Sequence, residues 1–475
     1  MRRLFITFVL AYLRFWARLA LALNKPTVIG LTGSVGKSSE RNALHALLKD
    51  YFPTKVIEKG NSETGIPLGI LGLSVKDYSP VDWVRLLLTA PLSLGYLKNT
   101  KYLIIEMGVD EPYPPKNMGY LLTIVKPQIS LFLNVYPAHT LQFEQALTAE
   151  EKDRTAKDPK KRLDYIQKII AFEKGKIITD SQCSLGIYNK DNRYVNAIVK
   201  NFEFPTPSAQ HNASHFQNFH GKTKLLSFGK EETNDIYFGH YEVSLEGTMF
   251  TFYLNTNDQK ESILLKLRGY ALPKEYQEIF AAAILVGKYL GLSNYQITQS
   301  LQKNYMLPKS RASLLAGIRH SVILDSSYNA SRAAVVAFLD MAYELKRQTK
   351  SPLVFLFGDM RELGEEAEAE HAAVVEKIKE GVDYLYCVGS LTKKYVLPEF
   401  QNKKSTLKDL QWFANSVEAG QYLKQHQPEA AIVLVKGSQN TIFLEEAVKE
   451  ILLDKADIKK LCRQEDFWIK KKDVR

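Results

Sequence analysis

Residues 30–39 hold the strongest chemical signal in the sequence, a stretch with three glycines that ends in a lysine and two serines. Glycines at this spacing let backbone N–H groups turn inward around phosphate oxygens. Lys37 would reach the β- and γ-phosphates of a nucleotide, and Ser38 would ligate Mg²⁺. We therefore predict a phosphate loop that binds ATP together with Mg²⁺.

The spacing fits a variant of the common phosphate-loop pattern. The general form GxxxxGK[ST] requires glycine at the position of Leu31, so the match is to GxxGxxGK[ST]. A glycine turn with a purely structural role is the alternative. The predicted nucleotide contacts are eight consecutive residues: Thr32, Gly33, Ser34, Val35, Gly36, Lys37, Ser38 and Ser39.

The segments on either side of the loop have the periodicity that a phosphate loop needs. Residues 27–31 form a short run rich in β-branched side chains, and residues 40–50 have helical spacing. A strand, a glycine loop and a helix in this order place the positive end of the helix at the phosphates. This context favours the nucleotide-binding interpretation.

The rest of the chain predicts an α/β protein of two main domains. Residues 27–307 form a central ATPase domain with a mostly parallel sheet, in which residues 235–256 alternate polar and apolar as in an antiparallel hairpin. Residues 308–475 alternate strands and helices, which indicates a doubly wound, Rossmann-like domain. A highly charged insertion occupies about residues 148–165. We find no internal repeat.

Composition limits the function classes only moderately. The chain has 475 residues, 63 Lys and Arg against 52 Asp and Glu, and three cysteines. The net charge of +11 suits solubility as well as an anionic partner, and we predict no nucleic-acid binding. Widely separated cysteines give no disulfide framework and no paired-cysteine zinc site, so we expect a reducing compartment, the cytoplasm. We also expect a monomer.

Residues 1–26 are a separate amphipathic segment. On a helical wheel Arg3, Arg14 and Arg18 fall on one side and a row of apolar residues falls opposite. Arginines interrupt the run too early for a membrane span. Peripheral contact of residues 1–23 with the inner face of a membrane, packing on the chain's own domain or a dimer partner, and a signal peptide all remain open.

Six motifs in chain order, together with the phosphate loop, resemble the Mur ligase superfamily. The resemblance covers about residues 27–455 and is closest to its MurF family. The motifs are GNSETGIP at 60–67, IEMG at 105–108, NVYPAH at 134–139, DSSYNA at 325–330, GDMRELG at 358–364 with His371, and KGS at 436–438.

The resemblance implies a ligase that uses ATP to activate a carboxylate as an acyl phosphate. The product would be a muramoyl tripeptide extended by D-alanyl-D-alanine, in peptidoglycan precursor synthesis. Ser38 and Glu106 would hold a first Mg²⁺, and His139 and a carbamylated Lys174 a second. Lys168 and Lys176 compete with Lys174 for this role, and Lys37, Glu106, His139 and Lys174 would be catalytic.

Further positions take roles from the same resemblance. Arg311 would lie near the ATP phosphates, Asp325 would bind the ribose hydroxyls, and Asn329 belongs to the same loop. The predicted substrate contacts are Asn61, Asp359, His371 and Lys436.

Two departures from the family qualify these expectations. Only 26 residues precede the first strand, where MurF enzymes have a UDP-sugar-binding domain, so a lipid-linked or other carboxylate acceptor is an alternative. Tyr270 stands where the family has a histidine near the adenine, so the adenine contacts are undefined. A non-catalytic ATP-binding scaffold of wall synthesis is the alternative from another class.

Overall fold

The computed structural model describes residues 2–58, 60–77, 79–137, 140–156, 158–201, 223–256, 259–401, 406–438 and 441–473. The chain forms two compact units. Unit 1 contains residues 1–239, 251–264 and 277–306, and unit 2 contains residues 240–250, 265–276 and 307–475.

Fifteen strands are found in the described part of the chain. They are β1 Thr27–Thr32, β2 Thr54–Val56, β3 Tyr102–Glu106, β4 Ile129–Phe132, β5 Leu185–Asn189, β6 Lys224–Gly229, β7 Ile236–Val243, β8 Gly247–Thr256, β9 Gln259–Arg268, β10 Ser313–Ala316, β11 Val322–Ser326, β12 Leu353–Gly358, β13 Tyr384–Val388, β14 Asp409–Phe413 and β15 Ile432–Lys436.

Eighteen α-helices accompany them within the same described ranges. They are α1 Arg2–Asn24, α2 Lys37–Leu48, α3 Gly65–Ile70, α4 Pro80–Thr89, α5 Met118–Ile124, α6 Thr140–Glu144, α7 Ala149–Thr155, α8 Pro159–Thr179, α9 Arg193–Asn196, α10 Tyr276–Tyr289, α11 Asn294–Asn304, α12 Arg332–Thr349, α13 Ala367–Ile378, α14 Ser390–Tyr395, α15 Pro398–Gln401, α16 Ser416–His426, α17 Glu445–Ile451 and α18 Asp466–Asp473.

The larger sheet has the strand order β2-β3-β1-β4-β5-β6-β7-β8-β9. Its strands from β2 to β7 pair in parallel, which confirms the mostly parallel sheet. Leu31 of β1 pairs with Glu106 of β3, and Thr32 pairs with Phe132 of β4. The register therefore gathers the carboxyl ends of three strands at the phosphate loop, where parallel α/β sheets hold their ligands.

The smaller sheet lies in unit 2 and has the order β10-β11-β15-β12-β13-β14. All its pairings are parallel except that of the edge strand β10 with β11. Helices alternate with these strands, so the doubly wound domain is confirmed. The sequence did not reveal β10 or β14, which are half-buried edge strands without a continuous apolar run.

Helix α1 packs against its own unit. Its residues Leu13, Ala17 and Ala20 are fully buried in the core of unit 1, together with side chains of α3 and α5. The Tyr12 hydroxyl donates a hydrogen bond to the carbonyl of Leu87 in α4 (3.1 Å). Of the alternatives for this segment, packing on its own domain is therefore confirmed.

Candidate functional site

The phosphate loop is shaped by two glycines with different constraints. Gly36 has φ +85°, a left-handed conformation that side chains disfavour, and it directly precedes α2. A Cβ atom at Gly33 would lie 3.1 Å from Cβ of Leu133, closer than ordinary van der Waals contact. The loop thus needs glycine at one position for backbone angle and at the other for space.

Asn134 holds the loop in place from the end of β4. Its Oδ1 accepts hydrogen bonds from the backbone N–H of Ser34 (3.1 Å) and of Val35 (3.0 Å). Its Nδ2 donates to the carbonyl of Val35 (3.2 Å). The sequence analysis assigned Asn134 no role of its own. The signal that would have revealed one is a polar residue directly after a buried strand.

Lys37 closes the loop on itself. Its Nζ donates to the carbonyls of Gly33 (2.6 Å) and Ser34 (3.3 Å). The ammonium therefore lies inside the turn where the phosphates of a nucleotide are expected. A phosphate would offer it stronger, charge-assisted hydrogen bonds than these neutral carbonyls.

Ser38 and Glu106 meet at the base of the loop, as the predicted metal site requires. Oγ of Ser38 lies 3.3 Å from Oε2 of Glu106. The other carboxylate oxygen of Glu106 forms an ion pair with Nη1 of Arg41 (2.7 Å), and both side chains are largely buried. The sequence analysis missed Arg41, which follows Lys37 by one helical turn.

One hydroxyl and one carboxylate fit the coordination chemistry of Mg²⁺. Two oxygens at neighbouring corners of its octahedron lie about 2.9 Å apart, close to the observed separation. Mg²⁺ usually takes one or two carboxylates and completes its shell with phosphates and water. The described residues contain no cluster of three or more His, Cys, Asp or Glu that would bind a metal alone, and Mg²⁺ does not need one here.

Lys174 of α8 is buried close to the loop. Its Nζ donates to the carbonyl of Val109 (3.2 Å), and its side chain is 3% exposed. Burial, with a smaller repulsion from Lys37, lowers the pKa of Lys174 to about 7. A large fraction of this amine is therefore neutral near pH 7, which is the form that reacts with CO₂.

The two competing lysines have ordinary salt-bridge environments. Lys168 is half exposed and pairs with Asp164 (3.0 Å), and Lys176 pairs with Glu173. Neither has the buried, weakly partnered amine of Lys174. Among the three candidates, Lys174 has the surroundings that best fit carbamylation.

Two further residues, Asn61 and His139, were predicted for this region. The backbone carbonyl of Asn61 accepts from the N–H of Gly108 (2.8 Å), so Asn61 lies at the end of β3. This position is next to Glu106. His139 lies outside the described residues, and its role as a metal ligand stays a prediction.

Glu40 is a buried carboxyl that the sequence analysis did not single out. It belongs to α2, is fully buried, and neither of its oxygens has a hydrogen-bond partner among the described residues. Burial raises the pKa of Glu40 well above its ordinary value. We have no physical account of its presence beside the loop.

Unit 2 contains a second basic site, at the end of its central strands. Lys436 closes β15, and its Nζ donates to Oγ of Ser326 (3.1 Å) and to the carbonyl of Asn329 (2.8 Å). Burial, with repulsion from Arg311, lowers the pKa of Lys436 to about 7. The Arg311 guanidinium stacks on the ring of Tyr328 at 4.2 Å. The structure thus brings together Arg311, Asn329 and Lys436, all three singled out from the sequence.

Asp325 does not present its carboxylate at the surface. It is fully buried, and its Oδ1 accepts from the backbone N–H of Ser327 (3.0 Å). Burial raises the pKa of Asp325. A ribose would have to displace these neighbours to reach the carboxylate, and the ribose contact of Asp325 stays a prediction.

Asp359 and His371 stabilise loops of unit 2 and are not exposed to a substrate. Oδ1 of Asp359 accepts from the N–H groups of Leu391 (3.0 Å) and Thr392 (2.8 Å) at the start of α14. Nε2 of His371 accepts from the N–H of Met360 (3.2 Å), and Nδ1 faces the carbonyl of Ala367 (2.6 Å).

Both side chains are almost completely buried and support the loop in this structure, and the substrate contacts of Asp359 and His371 stay predictions. Burial lowers the pKa of His371, in keeping with a neutral ring whose Nδ1 carries the proton. The GDMRELG pattern and His371 thus identify residues whose hydrogen bonds fix the shape of a loop.

Comparison with known proteins supports the fold and the motifs. Residues 310–439 match the family described as Mur ligase, glutamate ligase domain. A protein of Buchnera aphidicola named UDP-N-acetylmuramoyl-tripeptide--D-alanyl-D-alanine ligase is 23% identical over 431 residues, which cover 89% of this chain and 76% of the relative. The Escherichia coli protein of the same name is 23% identical over 439 residues, with the same coverage.

Residues 310–439 thus match a Mur ligase domain, and the relatives that cover most of the chain are named as ligases of that kind. The fold agrees: MurF from Acinetobacter baumannii has a TM-score of 0.66 at 19% identity, over 95% of this chain and 80% of that one. MurF ligase from Thermotoga maritima, solved in complex with ADP, has a TM-score of 0.65 at 19% identity, over 95% and 84%. The order of strand, phosphate loop and helix described above is thus part of a Mur ligase fold.

Proposed function

We propose that this chain is an ATP-dependent ligase of the Mur type that adds D-alanyl-D-alanine to a muramoyl tripeptide. The observation that carries the proposal is the phosphate loop, with Lys37 inside the turn and Ser38 Oγ 3.3 Å from the carboxylate of Glu106. The names of the relatives, which cover most of this chain, supply the substrates.

The reaction would proceed in two steps. An oxygen of the tripeptide carboxylate attacks the γ-phosphorus of ATP, the bond to the β-phosphate oxygen breaks, and an acyl phosphate and ADP result. The amine of D-alanyl-D-alanine then attacks the acyl carbon, inorganic phosphate leaves, and the amine gives up a proton. Such chemistry demands positioning and charge neutralisation from the protein more than covalent work.

Each residue of unit 1 has a place in this scheme. Lys37 and the loop N–H groups, held by Asn134, would bind the phosphates. Ser38 and Glu106 would hold Mg²⁺, which neutralises the charge of the triphosphate when bound. Arg41 orients the Glu106 carboxylate through its ion pair.

Lys174 would act as a carbamate. The reaction of its neutral amine with CO₂ releases a proton and gives an oxygen-bearing anion suited to a second Mg²⁺. We expect a carbamate signal in the ¹³C NMR spectrum of the protein equilibrated with ¹³C-bicarbonate, and its loss in Lys174→Met. A signal that persists in that variant, or is missing from the wild type, would rule out this assignment.

Lys436 and Arg311 of unit 2 would bind the acyl phosphate and the ATP phosphates. We place the reaction in the cytoplasm, where ATP is available, and the three buried free cysteines agree with a reducing compartment. Peripheral membrane contact through residues 1–23 is a separate matter that does not depend on the reaction. A lipid-linked muramoyl acceptor stays the alternative substrate.

The deciding experiment measures phosphate release with each substrate omitted in turn. We expect release only when ATP, Mg²⁺, the muramoyl tripeptide and D-alanyl-D-alanine are all present, and its abolition by Lys37→Met. The matched control is Lys303→Met, an exposed lysine of α11. If the protein binds nucleotide but its phosphate release does not require both substrates, the non-catalytic scaffold would be favoured and the ligase refuted. UDP-linked and lipid-linked acceptors, assayed side by side, identify the carrier.

A further inference from the structure

Unit 1 exposes an apolar surface built from two neighbouring helices. We call it the α1–α4 surface and define it by six exposed apolar residues on α1, on α4 and on the 3₁₀ helix Ala90–Ser93 that follows α4. Its members, with their exposed fractions, are Phe8 (61%), Phe15 (60%), Leu23 (62%), Val84 (56%), Leu88 (69%) and Leu92 (85%).

The two faces adjoin because the helices are in direct contact. The Tyr12 hydroxyl donates to the carbonyl of Leu87 (3.1 Å), and Nδ2 of Asn24 donates to the carbonyl of Leu94 (2.7 Å). Position 84 precedes 88 by four residues, so these two side chains share one side of α4, and Leu92 follows in the 3₁₀ helix. The α1–α4 surface is thus a single apolar area.

Helix α1 could cross a membrane on length and composition alone, since residues 6–24 have a mean hydropathy of 1.6. Its packing excludes this arrangement while unit 1 is folded. Leu13, Ala17 and Ala20 are fully buried in the core, so only the opposite face of α1 is available to a partner. A helix with one face on its own protein and an apolar face outward is suited to lie flat on a surface.

The charge on the α1 side of this surface is positive. Residues 1–39 contain six Lys or Arg and no Asp or Glu. The acidic residue of α4, Asp82, is buried and forms an ion pair with Arg85. A cleft of about 720 Å³ borders α1 on the side of α5 and is lined by Arg18, Lys25 and Lys126 among others. Exposed apolar side chains suit the acyl-chain region of an anionic bilayer, and the cations that flank them suit the phosphates of its headgroups.

We propose that the α1–α4 surface binds an anionic phospholipid bilayer. Phe8, Phe15 and Leu88 would insert at the boundary between headgroups and acyl chains, and Arg18 and Lys126 would contact headgroup phosphates. A second copy of the chain is a poorer occupant, because a twofold contact through this surface would bring the Arg18 and Lys25 flanks of both copies together. The proposal extends the contact beyond residues 1–23 to α4 and the 3₁₀ helix.

The test is co-sedimentation of the full chain with vesicles of phosphatidylcholine alone or with 30% phosphatidylglycerol. We expect binding to the anionic vesicles only, and its reduction in high salt, which screens the headgroup charge. The double variants Phe8→Ser/Phe15→Ser and Leu88→Ser/Leu92→Ser should each weaken binding at least about tenfold. Arg18→Gln/Lys126→Gln should weaken it by roughly fivefold or more.

The control is Tyr295→Ser, which removes an equally exposed aromatic residue (72%) from α11. It should sediment like the wild type, and all variants should keep the wild-type circular dichroism and the phosphate release measured without vesicles. Failure of the wild type to sediment, or equal sedimentation of every variant, would overturn the proposal without touching the ligase function. A dimer in sedimentation equilibrium that Phe15→Ser dissociates would also overturn it, in favour of a second copy.

Discussion

Lys174 in unit 1 and Lys436 in unit 2 are both buried, and burial lowers the pKa of each to about 7. Their hydrogen bonding differs. Among the described residues Lys174 donates to the carbonyl of Val109, whereas Lys436 donates to Ser326 and to the carbonyl of Asn329. Burial thus gives the two lysines a similar pKa, although the amine of Lys174 has fewer hydrogen bonds to the described residues than that of Lys436.

The same contrast separates the two regions as a whole. In unit 1 the motif residues Lys37, Ser38 and Glu106 point into one partly open loop. In unit 2 the motif residues Asp359 and His371 are buried and satisfied by backbone groups. The motif residues of unit 1 thus surround the proposed phosphate and metal site, whereas Asp359 and His371 of unit 2 hold a loop in shape.

The largest effect expected from this contrast is that of Glu106→Gln. Loss of the carboxylate charge at the metal site should lower the rate of substrate-dependent phosphate release by about 10³-fold. Steady-state assays over a Mg²⁺ titration measure it. Glu111→Gln, a change at an exposed glutamate paired with Lys116, is the matched control and should stay near wild type. Similar losses in both variants would contradict the assignment.

Lys174→Met tests the reactive member of the lysine pair. We expect a loss of at least about 100-fold in phosphate release, because one charge-stabilising group of the site is removed. Short carboxylic acids should restore part of the activity, since they replace the carbamate oxygens. Lys436→Met should not respond to these acids, and the half-exposed Lys168→Met should remain active. If the acids restored the activity of Lys436→Met and not that of Lys174→Met, the roles assigned to the two lysines would be exchanged.

Lys436 also predicts a pH dependence of stability. Its pKa is about 7 when folded and about 10.4 when unfolded, so between these values the unfolded chain binds more protons. The free energy of unfolding gains a contribution that rises from pH 7 to about 10.4, by at most about 1.4 kcal/mol per unit. Lys436→Met should lack this contribution in denaturant titrations at pH 7, 8 and 9. If the free energy of unfolding of Lys436→Met changed with pH as much as that of the wild type, burial would not lower the pKa of Lys436.

The smallest effect concerns the structural motif of unit 2. Asp359→Ala removes both hydrogen bonds at the start of α14 and should lower the free energy of unfolding by about 1–2 kcal/mol. Denaturant titration measures it, and Asp340→Ala, at a half-exposed aspartate of α12, is the control. Activity per folded molecule should fall much less than in Glu106→Gln. A loss of activity without a loss of stability would restore the substrate role first predicted for Asp359.

Sequence reasoning succeeded where local pattern and chemistry coincide. The glycine spacing around Lys37, the short apolar strands and the helical periodicity that follows them are local properties, and they identified the loop and both sheets. Reasoning was weaker for Arg41 and Asn134, because their partners are remote in sequence: Glu106 is 65 residues from Arg41, and Ser34 is 100 residues from Asn134. Nothing in the one-dimensional pattern pairs them.

By itself the sequence determined the fold class, the phosphate loop and the set of polar residues at strand ends, since each follows from residue type and spacing. Only the tertiary structure decided which of those residues stay accessible. The side chains of Asp325 and His371 are buried, burial lowers the pKa of Lys174, and one face of α1 is exposed beside α4. These outcomes depend on which residues pack against each side chain. Those residues are often far away in the sequence, so local sequence patterns do not identify them.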